Sequence, residues 1–147
     1  MSHASSSESA LKDHDLSMYT GAVTSAFLSK LDISASSLAS KRIDNEALRV
    51  HAHAVSCRKK FIKKEAAEFL EACSAMGKTG QVLIPAAGMS PLSIFLAEQY
   101  RDSVICDIDL HGMEEKAAMI RSSLSNLHFH TSDIRHPLDW KEQLVSY

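Results

Sequence analysis

The chain has 147 residues, of which 45% are apolar and 23% charged, a composition typical of a soluble globular domain. Its net charge of −2 excludes a strong overall attraction to nucleic acid or an anionic membrane, and no apolar run approaches the roughly 18–20 residues that span a bilayer. Cysteines Cys57, Cys73 and Cys106 lie inside regular segments, which favours reduced, buried thiols over a disulfide framework. With a Ser-rich N-terminus unlike a secretory signal, these features predict a cytoplasmic protein.

The first half of the chain carries helical patterns. Residues 1–14 are small and polar, which predicts a disordered tail. Over residues 15–31 apolar side chains recur at intervals of three and four, as on one helix face. A second helix is predicted over 44–76, with Asp44 as its N-cap and Gly77 as its C-terminal stop. The apolar residues predicted for its inner side are Leu48, Val55, Ile62, Ala66, Phe69, Leu70 and Cys73.

The second half changes to short apolar runs. Residues 81–84, 103–107 and 127–131 predict buried strands, and the segments 92–100 and 113–124 between them predict helices. Strands that alternate with helices of about ten residues imply right-handed crossovers and a parallel sheet. The predicted fold class is therefore α/β, with N-terminal helices followed by β-α-β-α-β from residue 80 onward.

Three features fall where a parallel sheet places its ligand site, beyond the carboxyl ends of the strands. The small-residue turn Pro85-Ala86-Ala87-Gly88-Met89 allows close approach of a ligand, because its glycine has no Cβ. Asp107 is predicted to end the second strand, 19 residues after Gly88, near the ~20 expected of a carboxylate that accepts hydrogen bonds from ribose hydroxyls. Asp133 follows the third strand, from which a side chain can reach the edge of a base.

On these residues the segment 80–140 resembles the cofactor-binding half of the class I S-adenosylmethionine-dependent methyltransferases. Their first motif is an acid followed by a turn with three alternating glycines after the first strand. Gly88 matches the middle glycine, Ala86 and Ser90 replace the other two, and Ile84 stands where the family usually has the acid. The stretch 81–88 is also similar to the leucine carboxyl methyltransferase branch.

The resemblance implies S-adenosyl-L-methionine as cofactor and a Rossmann-like sheet of which this chain holds the first three strands, so that the sheet is incomplete. Residues 15–79 would be the family's variable N-terminal helical cap. The resemblance places the ribose contact on Asp107, followed by Ile108, and the adenine contact on Asp133, beside Ile134. Since the chain is expected to stop before the residues that position the methyl acceptor, neither the acceptor nor a catalytic residue is assigned.

Two other functions stay open at this point. One is a non-catalytic cofactor-binding or protein-interaction module on the same half-fold, whose unpaired strand edge would favour self-association. The other is binding of an NAD-type dinucleotide, whose fingerprint needs a third glycine where this chain has Ser90.

The second predicted helix also carries the cations Arg58, Lys59, Lys60, Lys63 and Lys64. The simpler interpretation is a solvated helix face with buried stems. In the alternative, Arg58 pairs with the carboxylate of a bound cofactor. A nucleic-acid surface lacks aromatic residues at stacking positions and has no support from the net charge.

Two His-x-His pairs, at residues 51–53 and 128–130, have a spacing compatible with a metal. No third or fourth ligand follows at a recognisable spacing, so no metal site is predicted.

Overall fold

A computed structural model describes residues 18–35, 46–120 and 123–136. The predictions of a tail over 1–14 and of Asp44 as an N-cap lie outside these residues. The helices and strands, in chain order, are α1 Ala22–Ala35, α2 Glu46–Ala75, β1 Gln81–Pro85, α3 Leu92–Gln99, β2 Val104–Asp109, α4 Met113–Ile120 and β3 Leu127–Thr131.

The described strands form a parallel sheet in the order β1-β2-β3. Asp107 in the middle strand pairs in register with Ile84 on β1 and with Phe129 on β3. Helix α3 connects β1 to β2, and α4 connects β2 to β3. The predicted fold class, an α/β Rossmann-like partial sheet with interleaved helices, is confirmed.

The main core lies between one face of this sheet and the helices. Ile105 on β2 and Leu127 on β3 are buried in the same cluster as Leu96 of α3 and Phe27 of α1. Because side chains alternate along a strand, Asp107 shares the helix-covered face with Ile105. The opposite face carries Leu83, Cys106, Ile108, His128 and His130.

Helix α2 ends as the sequence predicted. Gly77 has a φ of +65°, which a residue with a Cβ rarely adopts. Its N–H donates to the Ser74 carbonyl at 2.9 Å, and the Lys78 N–H donates to the Cys73 carbonyl at 2.9 Å. This pair of bonds is the Schellman motif, which satisfies the last carbonyls of the helix.

Helix α1 begins later than predicted, at Ala22, because a carboxylate from α3 caps it. Glu98 accepts hydrogen bonds from the backbone N–H groups of Val23 and Thr24, both at 2.9 Å, and from the Thr24 hydroxyl at 2.8 Å. A Cβ on Gly21, whose φ is +133°, would overlap the same carboxylate. The start of α1 is therefore decided by a residue more than seventy positions away in the chain.

Further boundaries differ from the prediction, among them the end of α1, which lies at Ala35 rather than near residue 31. Helix α4 ends at Ile120, so Leu124, predicted to be helical, lies outside it. Strand β2 extends beyond Asp107 to Asp109, because Ile108 and Asp109 continue the parallel ladder opposite His130 and Thr131. The sequence prediction ended β2 at Asp107 because an acid interrupts the apolar run there. In the fold this acid is buried inside the strand.

Fewer residues of α2 are buried than the sequence predicted for its inner side. Leu70 and Cys73 are buried, but Ile62 and Phe69 are 44% and 49% exposed. Cys57 is also exposed, so the prediction that all the thiols are buried was wrong for this one. Within the part of the chain that the structure describes, no helix combines the length and the apolar character needed to cross a membrane.

Candidate functional site

The turn between β1 and α3 is built with two residues in the left-handed region. Gly88 has a φ of +49°, which costs a glycine little, and Ala86 has a φ of +53°. For alanine this conformation costs roughly 1–2 kcal/mol. The N–H of the buried Ala87 donates to the Ile108 carbonyl at 3.2 Å, which ties the turn to the neighbouring strand.

Asp109 faces this turn from the end of β2. One carboxylate oxygen, Oδ2, accepts the Gly88 N–H at 2.8 Å, and the other, Oδ1, accepts the N–H of Leu110 at 2.7 Å. The residue is half-buried, so part of its side chain remains open to a ligand. Among the described residues, an ideal Cβ on Gly88 would have only Asp109 Oδ2, at 3.9 Å, within 4 Å. Within this part of the chain the surface above the glycine is therefore open.

Asp107 lies two residues before Asp109 on the same face of β2 and is fully buried. Its Oδ2 accepts hydrogen bonds from the Ser93 hydroxyl at 2.5 Å and from Lys116 Nζ at 2.6 Å. Its Oδ1 is buried and has no hydrogen-bond partner among the described residues. Burial raises the pKa of this carboxyl, against the lowering effect of the Lys116 ammonium.

Lys116 joins three elements beneath the turn. It projects from α4 with no exposed surface, pairs with Asp107 on β2, and donates to the Gly88 carbonyl at 3.1 Å. Burial lowers the pKa of this ammonium, whereas the Asp107 charge beside it raises it. Removing one member of a buried pair typically costs about 3–5 kcal/mol, since the other charge is left without a partner in a medium of low dielectric.

Asp133 reaches the same edge of the sheet from β3. The Ser132 N–H donates to the Asp109 carbonyl at 3.0 Å, which brings the segment after β3 against the end of β2. The Asp133 carboxylate accepts bonds from Arg135 Nε at 2.9 and 3.0 Å and from its terminal nitrogen at 2.5 Å. These charge-assisted bonds hold the pKa of Asp133 well below its ordinary value.

The structure thus brings the turn, Asp107 and Asp133 to one edge, but it corrects the position of Asp107. The strand ends at Asp109, and the Asp107 carboxylate is fully buried, with Lys116 bound to its Oδ2 and no exposed surface at its Oδ1. Ile108 is fully buried on the opposite face of the sheet, so its side chain points away from the turn. Ile134 is 43% exposed next to Asp133. The other turn residues range from exposed Pro85 and Ala86 to half-buried Met89.

The cations of the basic cluster on α2 lie in different environments. Lys63 Nζ donates to the Met18 carbonyl and lies 4.1 Å from the centroid of the Phe95 ring, and burial lowers its pKa. Lys64 forms an exposed pair with Glu68 at 3.4 Å. Arg58 is exposed on α2, and none of the described contacts joins it to the turn. Pairing of Arg58 with a cofactor stays a prediction.

Three residues of the site escaped the sequence analysis: Ser93, Asp109 and Lys116. Lys116 had a usable signal, because Met113, Lys116 and Ile120 are spaced by three and four and form the buried side of α4. A lysine in that position requires a buried acid as its partner. The alternation of Asp107 and Asp109 on one strand face was a second signal.

The histidines of β3 have no neighbours among the described residues that would complete a metal centre. His128 and His130 share the sheet face opposite the main core, and burial together with the nearby His130 lowers the pKa of His128. Over the described ranges, the structure contains no group of three or more His, Cys, Asp or Glu residues placed to hold a metal ion. Burial and the adjacent Asp107 raise the pKa of the Cys106 thiol to about 12, so the thiol is protonated at neutral pH.

We compared the chain with models of protein families, with curated proteins and with solved structures, and none of them matches it. A functional proposal therefore depends on the geometry at the carboxyl edge of the sheet.

Proposed function

We propose that this chain binds S-adenosyl-L-methionine at the carboxyl edge of its sheet and is the cofactor-binding part of a cytoplasmic methyltransferase. The observation that carries the proposal is the hydrogen bond from the Gly88 N–H, in the turn after β1, to the carboxylate of Asp109 at the end of β2. It places an open glycine turn and a strand-end acid side by side at the position where α/β sheets bind nucleosides.

The residues present at this edge fit an adenosine group. Among the described residues the space above Gly88 is open and admits a ligand close to the backbone, and Asp109 at the end of β2 can accept hydrogen bonds from ribose hydroxyls. Asp133, already ionised through its contact with Arg135, can accept a bond from the adenine amino group. S-adenosylmethionine would supply an activated methyl group, and alignment with the acceptor would supply most of the acceleration.

The start of α3 favours this ligand over an NAD-type dinucleotide. Dinucleotide sites use free N–H groups at a helix N-terminus to bind pyrophosphate. Here Pro91 has no N–H, and the N–H of Leu92 points to the Ser90 hydroxyl at 3.4 Å. S-adenosylmethionine contains no pyrophosphate, so it does not need these donors.

The proposal is tested by isothermal titration of the purified chain with S-adenosylmethionine, with NAD as the control ligand. We expect saturable binding of S-adenosylmethionine alone. The variant Gly88→Ala should weaken binding by about tenfold or more, because its Cβ intrudes on the ligand and its φ is strained. Gly77→Ala is the matched control, since it adds a Cβ at a φ of +65°, at the end of α2, where none of the described residues comes within 4 Å. No binding by the folded wild-type chain, or equal loss in both variants, contradicts the proposal.

A second candidate function, a protein-interaction module, is favoured by large apolar side chains exposed along α2 and just after its end. Phe61 and Met76 are both 61% exposed, Val50 is 65% exposed, and Phe69 is close to half exposed. Among the described strands, β1 pairs only with β2, so its other edge also offers backbone groups to a partner. Sedimentation at several protein concentrations tests self-association, and a mass that stays at one chain throughout contradicts it.

A further inference from the structure

Helix α2 carries a second apolar face, separate from the side that packs on the core. Ala66 and Leu70 pack in the main core, and Cys73 is buried on the same side of the helix. The exposed apolar side chains fall into two rows, Val50, Phe61 and Ala72 at intervals of eleven residues and Ile62, Phe69 and Met76 at intervals of seven. Eleven residues make about three turns of an α-helix and seven about two, so each row runs along the helix axis. Together the rows form one stripe, the outer face of α2.

The charges of α2 are divided between two adjacent segments. Residues 58–64 carry five cations and no acid, whereas residues 65–71 carry three acids and no cation. Arg58 and Glu68, one from each segment, are exposed on the outer face. A parallel pair of α2 helices would place like segments side by side, whereas an antiparallel pair brings the basic segment of each copy towards the acidic segment of the other. The outer face is therefore complementary to a second copy of itself in one orientation.

The acidic segment also distinguishes this face from one that binds an anionic membrane. A helix that lies on such a membrane combines apolar residues with a basic polar face along its length. Here the cations end at Lys64, and the next charges along α2 are acids, which an anionic surface would repel. The charge pattern thus favours a second copy of the chain as the partner.

We infer that two copies of this chain associate through the outer faces of α2, with the two helices antiparallel. The two copies of Phe61 lie next to each other at the two-fold axis. In this alignment Ala54 lies beside the partner's Ala72, and Arg58 lies beside the partner's Glu68. Because the interface is symmetric, each of these two contacts occurs twice.

This alignment covers the apolar side chains that a single copy exposes. Val50 lies opposite the partner's Met76, and Phe69 lies opposite the partner's Cys57, which is also exposed. Removal of these surfaces from water drives the association, and the ion pairs select the antiparallel orientation. The small side chain of Ala54 allows the two helices to approach closely.

The inference rests on the second candidate function, protein interaction, and is independent of the S-adenosylmethionine site. Sedimentation equilibrium of the full chain from about 5 to 200 µM measures the association. We expect the wild-type mass to rise from that of one chain towards that of two. Phe61→Glu should weaken the association by about tenfold or more, because it places a charge in an apolar contact. Leu110→Glu, the same kind of change at an exposed apolar residue after β2, is the matched control and should leave the association unchanged.

Charge exchange and cross-linking test the antiparallel orientation. R58E should weaken the association by about fivefold, and R58E/E68R should restore it to within about twofold, because the ion pairs form again with reversed sign. In a C57S background, A54C/A72C should give a disulfide-linked dimer on mild oxidation, whereas A54C alone should not. The two copies of residue 54 are about 27 Å apart along the antiparallel pair, which is beyond the reach of a disulfide.

Two kinds of result overturn the inference and can be told apart. A wild-type chain that stays monomeric over the whole range contradicts both the inference and self-association as a function. A dimer that survives Phe61→Glu, or that A54C alone cross-links, contradicts only the inference, because the copies then meet through another surface or in parallel. Absence of the A54C/A72C cross-link in a dimer has the same meaning. If Phe61→Glu does not fold, the charge exchange and the cross-link decide, since they change only exposed residues.

Discussion

At the scale of single residues, the main feature of the molecule is a buried ion pair beneath the turn that follows β1. Lys116 and Asp107 are both fully buried and oppositely charged, and both contact the surroundings of Gly88. A buried pair of this kind contributes less to net stability than an apolar pair of the same volume would, but neither member tolerates loss of the other. The pair therefore constrains the geometry of the turn more than it adds to the free energy of unfolding.

Substitution of one member of the pair should be far more harmful than substitution of both. We expect K116M to lower the free energy of unfolding by about 3–5 kcal/mol, because it leaves the Asp107 carboxyl without its cation. D107L/K116M should recover most of this loss. Urea denaturation of the two single variants and the double variant measures the coupling. A cost below about 1 kcal/mol for K116M would show that the pair is not isolated from water.

A second prediction at this scale concerns the left-handed alanine of the turn. Because Ala86 has a φ of +53°, Ala86→Gly should stabilise the chain by roughly 0.5–1 kcal/mol, the relief of strain exceeding the added entropy of the unfolded chain. Ala87→Gly is the control, since Ala87 is buried and its φ is not positive. That change should destabilise the chain in the same thermal denaturation experiment. A lower melting temperature for Ala86→Gly would contradict the strained conformation.

At the scale of elements, α1 is held in place by one carboxylate of α3. Glu98 provides the acid at the N-terminus of α1 that the first turn of this helix itself lacks. Burial raises the pKa of this carboxyl, but the hydrogen bonds from Thr24, Val23 and Ala22 together hold it below the ordinary value of 4.5. The ionised form is therefore the one that the folded chain prefers.

This preference predicts a pH dependence of stability. Since the pKa of Glu98 is lowered by folding, its contribution is fully present above about pH 4.5 and is lost as the pH falls through the lowered value. We expect E98Q to lose roughly 1–2 kcal/mol at pH 7 and to show a smaller further loss on acidification than the wild-type chain. Urea denaturation between pH 3 and 7 measures both effects. Glu65→Gln, on the exposed side of α2, is the control and should follow the wild-type curve.

Neighbouring residues on α2 should respond very differently to truncation. Leu70 has no exposed surface, so Leu70→Ala should cost roughly 2–5 kcal/mol through the lost contacts and the cavity left behind. Phe69, which is 49% exposed, should cost much less, about 1 kcal/mol or below, when changed to alanine. The comparison by chemical denaturation needs a dilute sample, because association through this face would add to the measured stability. Equal costs at the two positions would mean that Phe69 is covered in solution.

At the scale of the whole molecule, the described chain is an open half-sheet with its helices on the core side. The α/β class and the order of strands and helices were predictable, because the short apolar runs and the amphipathic segments differ in length and period. Strand β3 and the end of α2 at Gly77 were also predictable from local chemistry. The inner side of α2 was not, since Phe69 and Leu70 are equally apolar and only packing decides which one is buried.

The candidate site was likewise predictable from the sequence only in part. The local sequence by itself determined the glycine turn and the acid that follows β3, because a residue without a Cβ and the alternation of strands with helices are visible within a few positions of the sequence. Only the tertiary structure decided that Asp107 is buried by Lys116 and that Asp109 faces Gly88. The burial and the charge partner of an acid depend on side chains from other elements of the fold, so they cannot be read from the strand that carries it.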